Sequence, residues 1–282
     1  MVAVLVICSA LLHSVWNAVL KTQKDKDLAG ATVVGMAAVV AVVVALAVWA
    51  FTPEAPFPRA SGVAWSAGAG LFEAAYFVLL VMALERLPLA AAYTVSRGLA
   101  ILAVWPVSVA LLGEPITAAS IAGTAVLCLG LVTSGLERRE GSSAGGVALA
   151  CLCGLSIAGY HLCYKQALAA GAQPAAVFAV ALSIAFPLNL ARLGRARIPA
   201  LGRELRRRPW FAIGLGSMAA ASFLILLVGL GRGGAGFVLT LRNTSIVFTA
   251  LIGWAVGERP SRPQLIGAAL VAAGAMLVGL SR

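Results

Sequence analysis

Charge is what this chain most lacks. Of 282 residues, 11% are Asp, Glu, Lys or Arg and 61% are hydrophobic, with a mean hydropathy of +0.99. So little charge leaves almost nothing to clothe a soluble domain. Acids are scarcest, 10 against 21 basic residues, and there are only two histidines, His13 and His161. No H-E-x-x-H, no G-x-S-x-G and no paired carboxylates within an apolar run occur, so an intramembrane enzyme would have only His13, His161 and Glu73 at depth. Cys8, Cys128, Cys151, Cys153 and Cys163 all lie in apolar runs, where a free thiol behaves as a small hydrophobe. The Cys151–Cys153 pair has no His or carboxylate at ligand spacing, so neither metal, cofactor nor disulfide is implied.

What the chain has instead is a recurring apolar run of about twenty residues, the length that crosses a bilayer as a helix. Ten spans are predicted: 3–20, 30–51, 62–84, 88–112, 118–136, 146–168, 172–191, 209–230, 233–256 and 264–280. The fold class expected is an all-α polytopic membrane protein of ten helices. The first run has no basic lead and carries His13, Ser14 and Asn17, so it is expected to be a retained helix rather than a signal peptide. The net charge of +11 points to membrane topology, not to nucleic acid. Alternate loops divide the cations unequally. One side carries 15 of them, including Lys21, Lys24, Arg86, Arg138, Arg139 and the run from Arg192 to Arg208; the other carries Arg59, Lys165, Arg232 and Arg282. By the positive-inside rule the loop 192–208 is cytoplasmic and both termini lie outside.

The second half repeats the first. Gly113-Glu114-Pro115 recurs as Gly257-Glu258-Arg259-Pro260, and Gly123 and Gly130 recur as Gly267 and Gly274. The run Trp16 to Lys21 recurs at Tyr160 to Lys165, Trp65 at Trp210, and Arg97 at Arg242. An ordered series from first helix to last marks a tandem duplication, with 1–137 and 146–282 as the repeats and 138–145 as the linker. A unit of five spans followed by its copy must start from opposite sides of the membrane. The halves are therefore expected to be inverted, the arrangement of secondary transporters whose sites lie at mid-bilayer between repeats.

The Trp-Asn…Lys run of the first span, Ala83-Leu84…Leu87-Pro88 and Leu112-Gly113-Glu114-Pro115 together resemble the EamA-type transporters of the drug/metabolite transporter superfamily. The resemblance covers both halves. It implies a ten-helix carrier in the bacterial inner membrane that moves amino acids, other small metabolites or drugs, usually outward. His13-Ser14-Val15-Trp16-Asn17 and Ser96-Arg97-Gly98 also resemble, more loosely, a subgroup associated with phosphonate utilisation. The second half departs from the pattern: Gly233-Gly234 stands where the first has Leu-Pro, and Pro106 has no equivalent.

Three ionisable residues fall deep in spans, Glu73, Arg97 and Arg242. Each needs a partner or a wet cavity, since a central charge costs about 2.5–3.5 kcal/mol on insertion scales. Counted from the turn between the third and fourth spans, Glu73 and Arg97 differ in depth by roughly 4–5 Å. They can pair, as a structural clamp or as part of a substrate site. Met218 stands where Arg242 would have its acid, so Arg242 either grips a carboxylate or phosphate of the substrate or snorkels to the interface. Ser245 and Thr249 are expected to continue its helical face.

Ser9, His13, Trp16 and Asn17 form one stripe of the first span, matched by Ser156, Tyr160, His161 and Tyr164 in the sixth. Such stripes line ligand cavities or bond helix to helix. The expected substrate site is Trp16, Asn17, Tyr76, Tyr93, Arg97, Tyr160 and Arg242, with Glu73, His13 and His161 as candidates for proton coupling. Partners are a small-molecule substrate, the bilayer and a coupling proton. A flippase for a lipid-linked polar headgroup is the alternative function. The glycine heptads are expected to be packing surfaces, and Trp49, Trp65, Trp210 and Trp254 to form interfacial belts.

Overall fold

The structure is a computed structural model that describes residues 2–112, 116–135, 144–232, 238, 241–255, 257 and 261–280. The linker through 143, Gly113-Glu114-Pro115, Gly233-Gly234 and Glu258-Arg259-Pro260 lie outside the described residues. Of the described residues 90% are helical and none is in a strand. The helices are α1 (Val2–Thr22), α2 (Lys26–Phe51), α3 (Ala60–Arg86), α4 (Leu89–Leu112), α5 (Ala118–Gly135), α6 (Ala144–Ala169), α7 (Pro174–Leu193), α8 (Ile198–Arg207), α9 (Pro209–Arg232), α10 (Ser245–Ala255) and α11 (Arg262–Leu280). Seven are long and apolar enough to cross a membrane: α1, α2, α3, α4, α6, α7 and α9. α5, α10 and α11 are shorter apolar helices within the described residues.

Local chemistry sets the breaks. The Asp25 carboxylate accepts from the Leu28 N–H at 3.0 Å and caps α2. Leu87, held extended before Pro88, ends α3 (φ −132°, ψ 151°). Pro174 opens α7, and Gly194, at φ +83°, closes it in a conformation that glycine alone adopts without strain. α6 begins at Ala144, two residues inside the expected linker.

The bundle buries its few deep charges within a largely apolar core and exposes apolar residues on its outside. Trp49, Val39, Val43, Leu46, Leu129, Leu152, Leu251 and Trp254 are exposed on helix exteriors, while Glu73, Arg97 and Arg242 are buried. That inversion is what a lipid solvent selects, since apolar side chains face hydrocarbon without loss and charges turn inward. α8 is the exception, an amphipathic helix that seats Leu201 and Leu205 against Leu28, Ala31, Leu190 and Leu193 and exposes Arg203, Arg206 and Arg207.

Packing partners come in pairs. α3 lies on α6 and α7, and α9 lies on α1 and α2; α4 lies on α6, and α10 on α1. α2 packs on α7, and α5 on α11. At the last contact a Cβ on Gly123 would come within 2.8 Å of the Gly274 carbonyl oxygen, and one on Gly274 within 2.6 Å of the Gly123 carbonyl oxygen. A Cβ on Gly130 would come within 2.8 Å of the Gly267 carbonyl oxygen. One index rises as the other falls, so the two helices cross antiparallel.

Several joints gather at one end. Arg192 bonds Asp27 at 2.5 Å, Arg197 pairs with Asp25, and Arg208 bonds Gln23 at 3.2 Å. Lys21 donates to the carbonyls of Leu84 and Leu87 at the end of α3, and Gly146 abuts Arg86 and Leu87. At the other end Gln173 bonds Pro56, Glu54 and Thr52.

Candidate functional site

Every residue expected in the substrate site or in proton coupling is buried: His13, Asn17, Glu73 and Tyr160 fully, and Trp16, Tyr76, Tyr93, Arg97, His161 and Arg242 at 6% exposure or less. His13 sits at the centre. α1 projects it toward α4, where Arg97 Nη2 meets its Nε2 at 2.5 Å, with the Tyr76 hydroxyl at 3.4 Å. Trp16 Nε1 approaches the other ring nitrogen at 3.3 Å, its ring perpendicular to the imidazole. Indole and guanidinium are donors only, whereas a neutral imidazole has one accepting nitrogen. The shorter contact claims it, so His13 accepts from Arg97, and the Trp16 contact is an edge-to-face ring contact.

Tyr160 joins the second half to this cluster. Its ring packs on Tyr76 at 5.6 Å, His161 at 4.4 Å and Phe223 at 6.0 Å. Phe223 lies 5.4 Å from His13, stacks on Phe178 and carries the Arg242 guanidinium 5.6 Å from its centroid. One aromatic bridge therefore links Arg97 on α4 with Arg242 before α10. Phe223 had no signal in sequence, being one apolar residue among many in α9.

Arg242 does not snorkel; it is 1% exposed. One Nη donates to the Ser9 hydroxyl and lies 3.5 Å from the Ser222 carbonyl, while Nε and the other Nη have no partner. The expected continuous face with Ser245 and Thr249 is broken. Asn243 and Thr244 form a turn, and the bonds Thr244 N–H to Leu241 and Ile246 N–H to Asn243 are tight three-residue ones. Ser245 and Thr249 turn instead to Ser14 of α1. A tight mid-helix stretch is a common hinge, and a broken helix at depth is where carriers expose polar backbone.

The expected Glu73–Arg97 pair is not formed. Depth was matched, but α3 turns Glu73 toward α6, where the Tyr164 phenol lies beside it without strict hydrogen-bond geometry. Arg97 faces α1 instead. Asn17 donates to the His13 carbonyl at 2.7 Å and leaves its own oxygen unpartnered. The hydroxyls of Tyr93, Tyr160 and Tyr164, and His161 Nε2, are likewise buried without partners. Near the joints that hold Asp27 and Arg192, a narrow crevice of about 20 Å³, little more than room for one water, reaches the Trp16 ring between α1, α2, α3 and α7.

The buried ionisable and aromatic side chains thus form one cluster inside a bundle whose exterior is apolar. Residues 144–280 match the model of the EamA-like transporter family. Over these 137 residues the protein is similar to that family, which is part of the drug/metabolite transporter superfamily. No curated protein matches. A solved structure titled "Crystal structure of protein" is similar at 20% identity with a TM-score of 0.65, covering 99% of this chain and 96% of its own. At that identity it shows a shared fold, and the fold extends over both halves.

Proposed function

We propose that the protein is a secondary transporter that carries a small metabolite, amino-acid-like or an organic anion, across the bacterial inner membrane by alternating access between inverted repeats. The observation that carries this reading is the buried cluster. It draws His13, Trp16, Tyr76, Tyr93 and Arg97 from one half and Tyr160, His161, Phe223 and Arg242 from the other. The pairing of helix contacts under exchange of halves, and the antiparallel glycine crossing of α5 on α11, support the inversion. Two near-equivalent packings of one unit give inward-open and outward-open states close in free energy.

Trp16, Asn17, Tyr76, Tyr93, Arg97, Tyr160 and Arg242 hold the solute. Glu73 carries the coupling proton, because its carboxyl has no cation in reach and can exchange a proton without breaking an ion pair. His13 is the poorer carrier, since a second proton would face the Arg97 guanidinium. The basic loop 192–208 is cytoplasmic, both termini are outside, and transport runs outward, as the resemblance implies.

Counterflow in proteoliposomes tests the reading. Free amino acids or organic anions are expected to exchange, and Arg242→Gln to abolish it while leaving the protein inserted. Competition by lipid-linked sugars with no small-solute flux would favour the flippase instead.

A further inference from the structure

The cluster holds two guanidiniums, and among the described residues no acid pairs with either. Arg97 and Arg242 are both buried, and two rings stand between them: Arg97 meets His13 Nε2 at 2.5 Å, His13 lies 5.4 Å from Phe223, and Phe223 lies 5.6 Å from the Arg242 guanidinium. Glu73 is the one buried acid among the described residues, and neither of its oxygens has a partner. A buried like-charged pair is costly unless an opposite charge enters.

The geometry says where that charge would bind. Arg242 spends one Nη on Ser9 and Ser222, which leaves Nε and the second Nη as an open fork, the edge that grips a carboxylate or phosphate with two parallel bonds. Arg97 is oriented by His13 and lies 5.9 Å from the Tyr93 ring centroid. The unpartnered hydroxyls of Tyr93 and Tyr160 supply further donors. A zwitterion would leave the site's positive charge unbalanced, and a monoanion would cancel half of it. A doubly charged anion cancels both cations.

From this arrangement we infer that the site selects a compact dianion, a phosphate-type or dicarboxylate group held by Arg97 from one half and Arg242 from the other. This rests on the carrier reading only in taking the cluster as the solute's seat.

Ligand-dependent thermal stabilisation of the purified, detergent-solubilised protein tests it, since a ligand of the native state raises the melting temperature with the logarithm of its concentration relative to Kd. Sulfate, succinate and methyl phosphate are the dianionic probes; acetate and leucine are the monoanion and zwitterion. The dianions are expected to half-saturate at concentrations at least about tenfold below acetate or leucine, one lost charge contact being worth a factor of that order. Methyl phosphate should bind more tightly as pH rises through its second ionisation near about 6, while sulfate, doubly charged throughout, should not follow that rise. Arg242→Gln should weaken sulfate at least about tenfold without lowering the melting temperature of the unliganded protein. Arg97→Lys provides a second variant that keeps the charge and loses the fork. Acetate binding as tightly as sulfate, sulfate affinity unchanged in both variants, or no saturable dianion binding would each overturn the inference. Leucine counterflow without dianion preference would sink it and spare the carrier reading. Dianion binding with no flux of any solute would do the reverse.

Discussion

His13 determines whether Arg97 can remain buried. Its Nε2 is the acceptor that the guanidinium meets at 2.5 Å, so His13→Leu strands a buried cation. Loss of a neutral acceptor from a buried charged donor costs about 1.5–3 kcal/mol; a melting temperature within a degree or two of wild type would refute the contact. Glu73→Gln should behave oppositely. The carboxyl has no charged partner, so stability should change by less than about 1 kcal/mol, while transport driven by a proton gradient should disappear. Flux of that variant under an imposed pH gradient checks the assignment. At this scale the sequence was only partly legible. That Arg242 lacked an acid could be read from Met218 at the matching position, but its bonds to Ser9 and Ser222 join residues over 200 and 20 positions apart. Glu73 and Arg97 misled for a definable reason: residue counting fixes depth along a helix but not the direction a side chain takes around it.

Among elements, the crossing of α5 on α11 makes the sharpest demand. A Cβ at Gly123 or Gly274 would lie 2.6–2.8 Å from backbone atoms of the facing helix, and backbone cannot step aside as a side chain can. Gly123→Ala or Gly274→Ala should therefore cost about 1–3 kcal/mol. Gly214→Ala, with open space around its Cβ in α9, should be neutral or stabilising by up to about 1 kcal/mol; melting curves of the three variants decide. The heptad spacing announced a packing surface, and the structure supplied its partner. The clasp of Asp25 and Asp27 on Arg197 and Arg192 belongs to the same scale. Burial alone would raise the Asp25 carboxyl, but the Leu28 N–H and the Arg197 guanidinium outweigh it and hold the group below the ordinary carboxylate range. A depressed folded value contributes stability above the unfolded one, about 3.9, and loses it as pH falls through the folded value. The clasp is thus expected to be indifferent to pH from 5 to 8 and to loosen only below about 4. Melting temperatures of wild type and Asp25→Asn should differ by the same amount across that upper range and converge in acid.

Across the whole molecule, composition and apolar periodicity specify an all-helical membrane bundle, because lipid leaves no other way to satisfy so much backbone. The offset between Trp16 and Tyr160, and between Arg97 and Arg242, points in the sequence to a duplicated unit. The break at Asn243–Thr244 had a signal that went unread: Asn243, Thr244 and Ser245 are consecutive residues that favour caps and turns, but they sit inside an otherwise apolar run. The central claim is that the two halves thread the bilayer in opposite senses. Single cysteines at Lys24, Ser142, Gly202, Glu54 and Gln173, in a chain whose five native cysteines are replaced by serine, can be labelled in intact cells with a membrane-impermeant maleimide. Positions 24, 142 and 202 should be shielded together, and 54 and 173 labelled together; shielding of 142 with labelling of 202, or the reverse, would contradict the inversion.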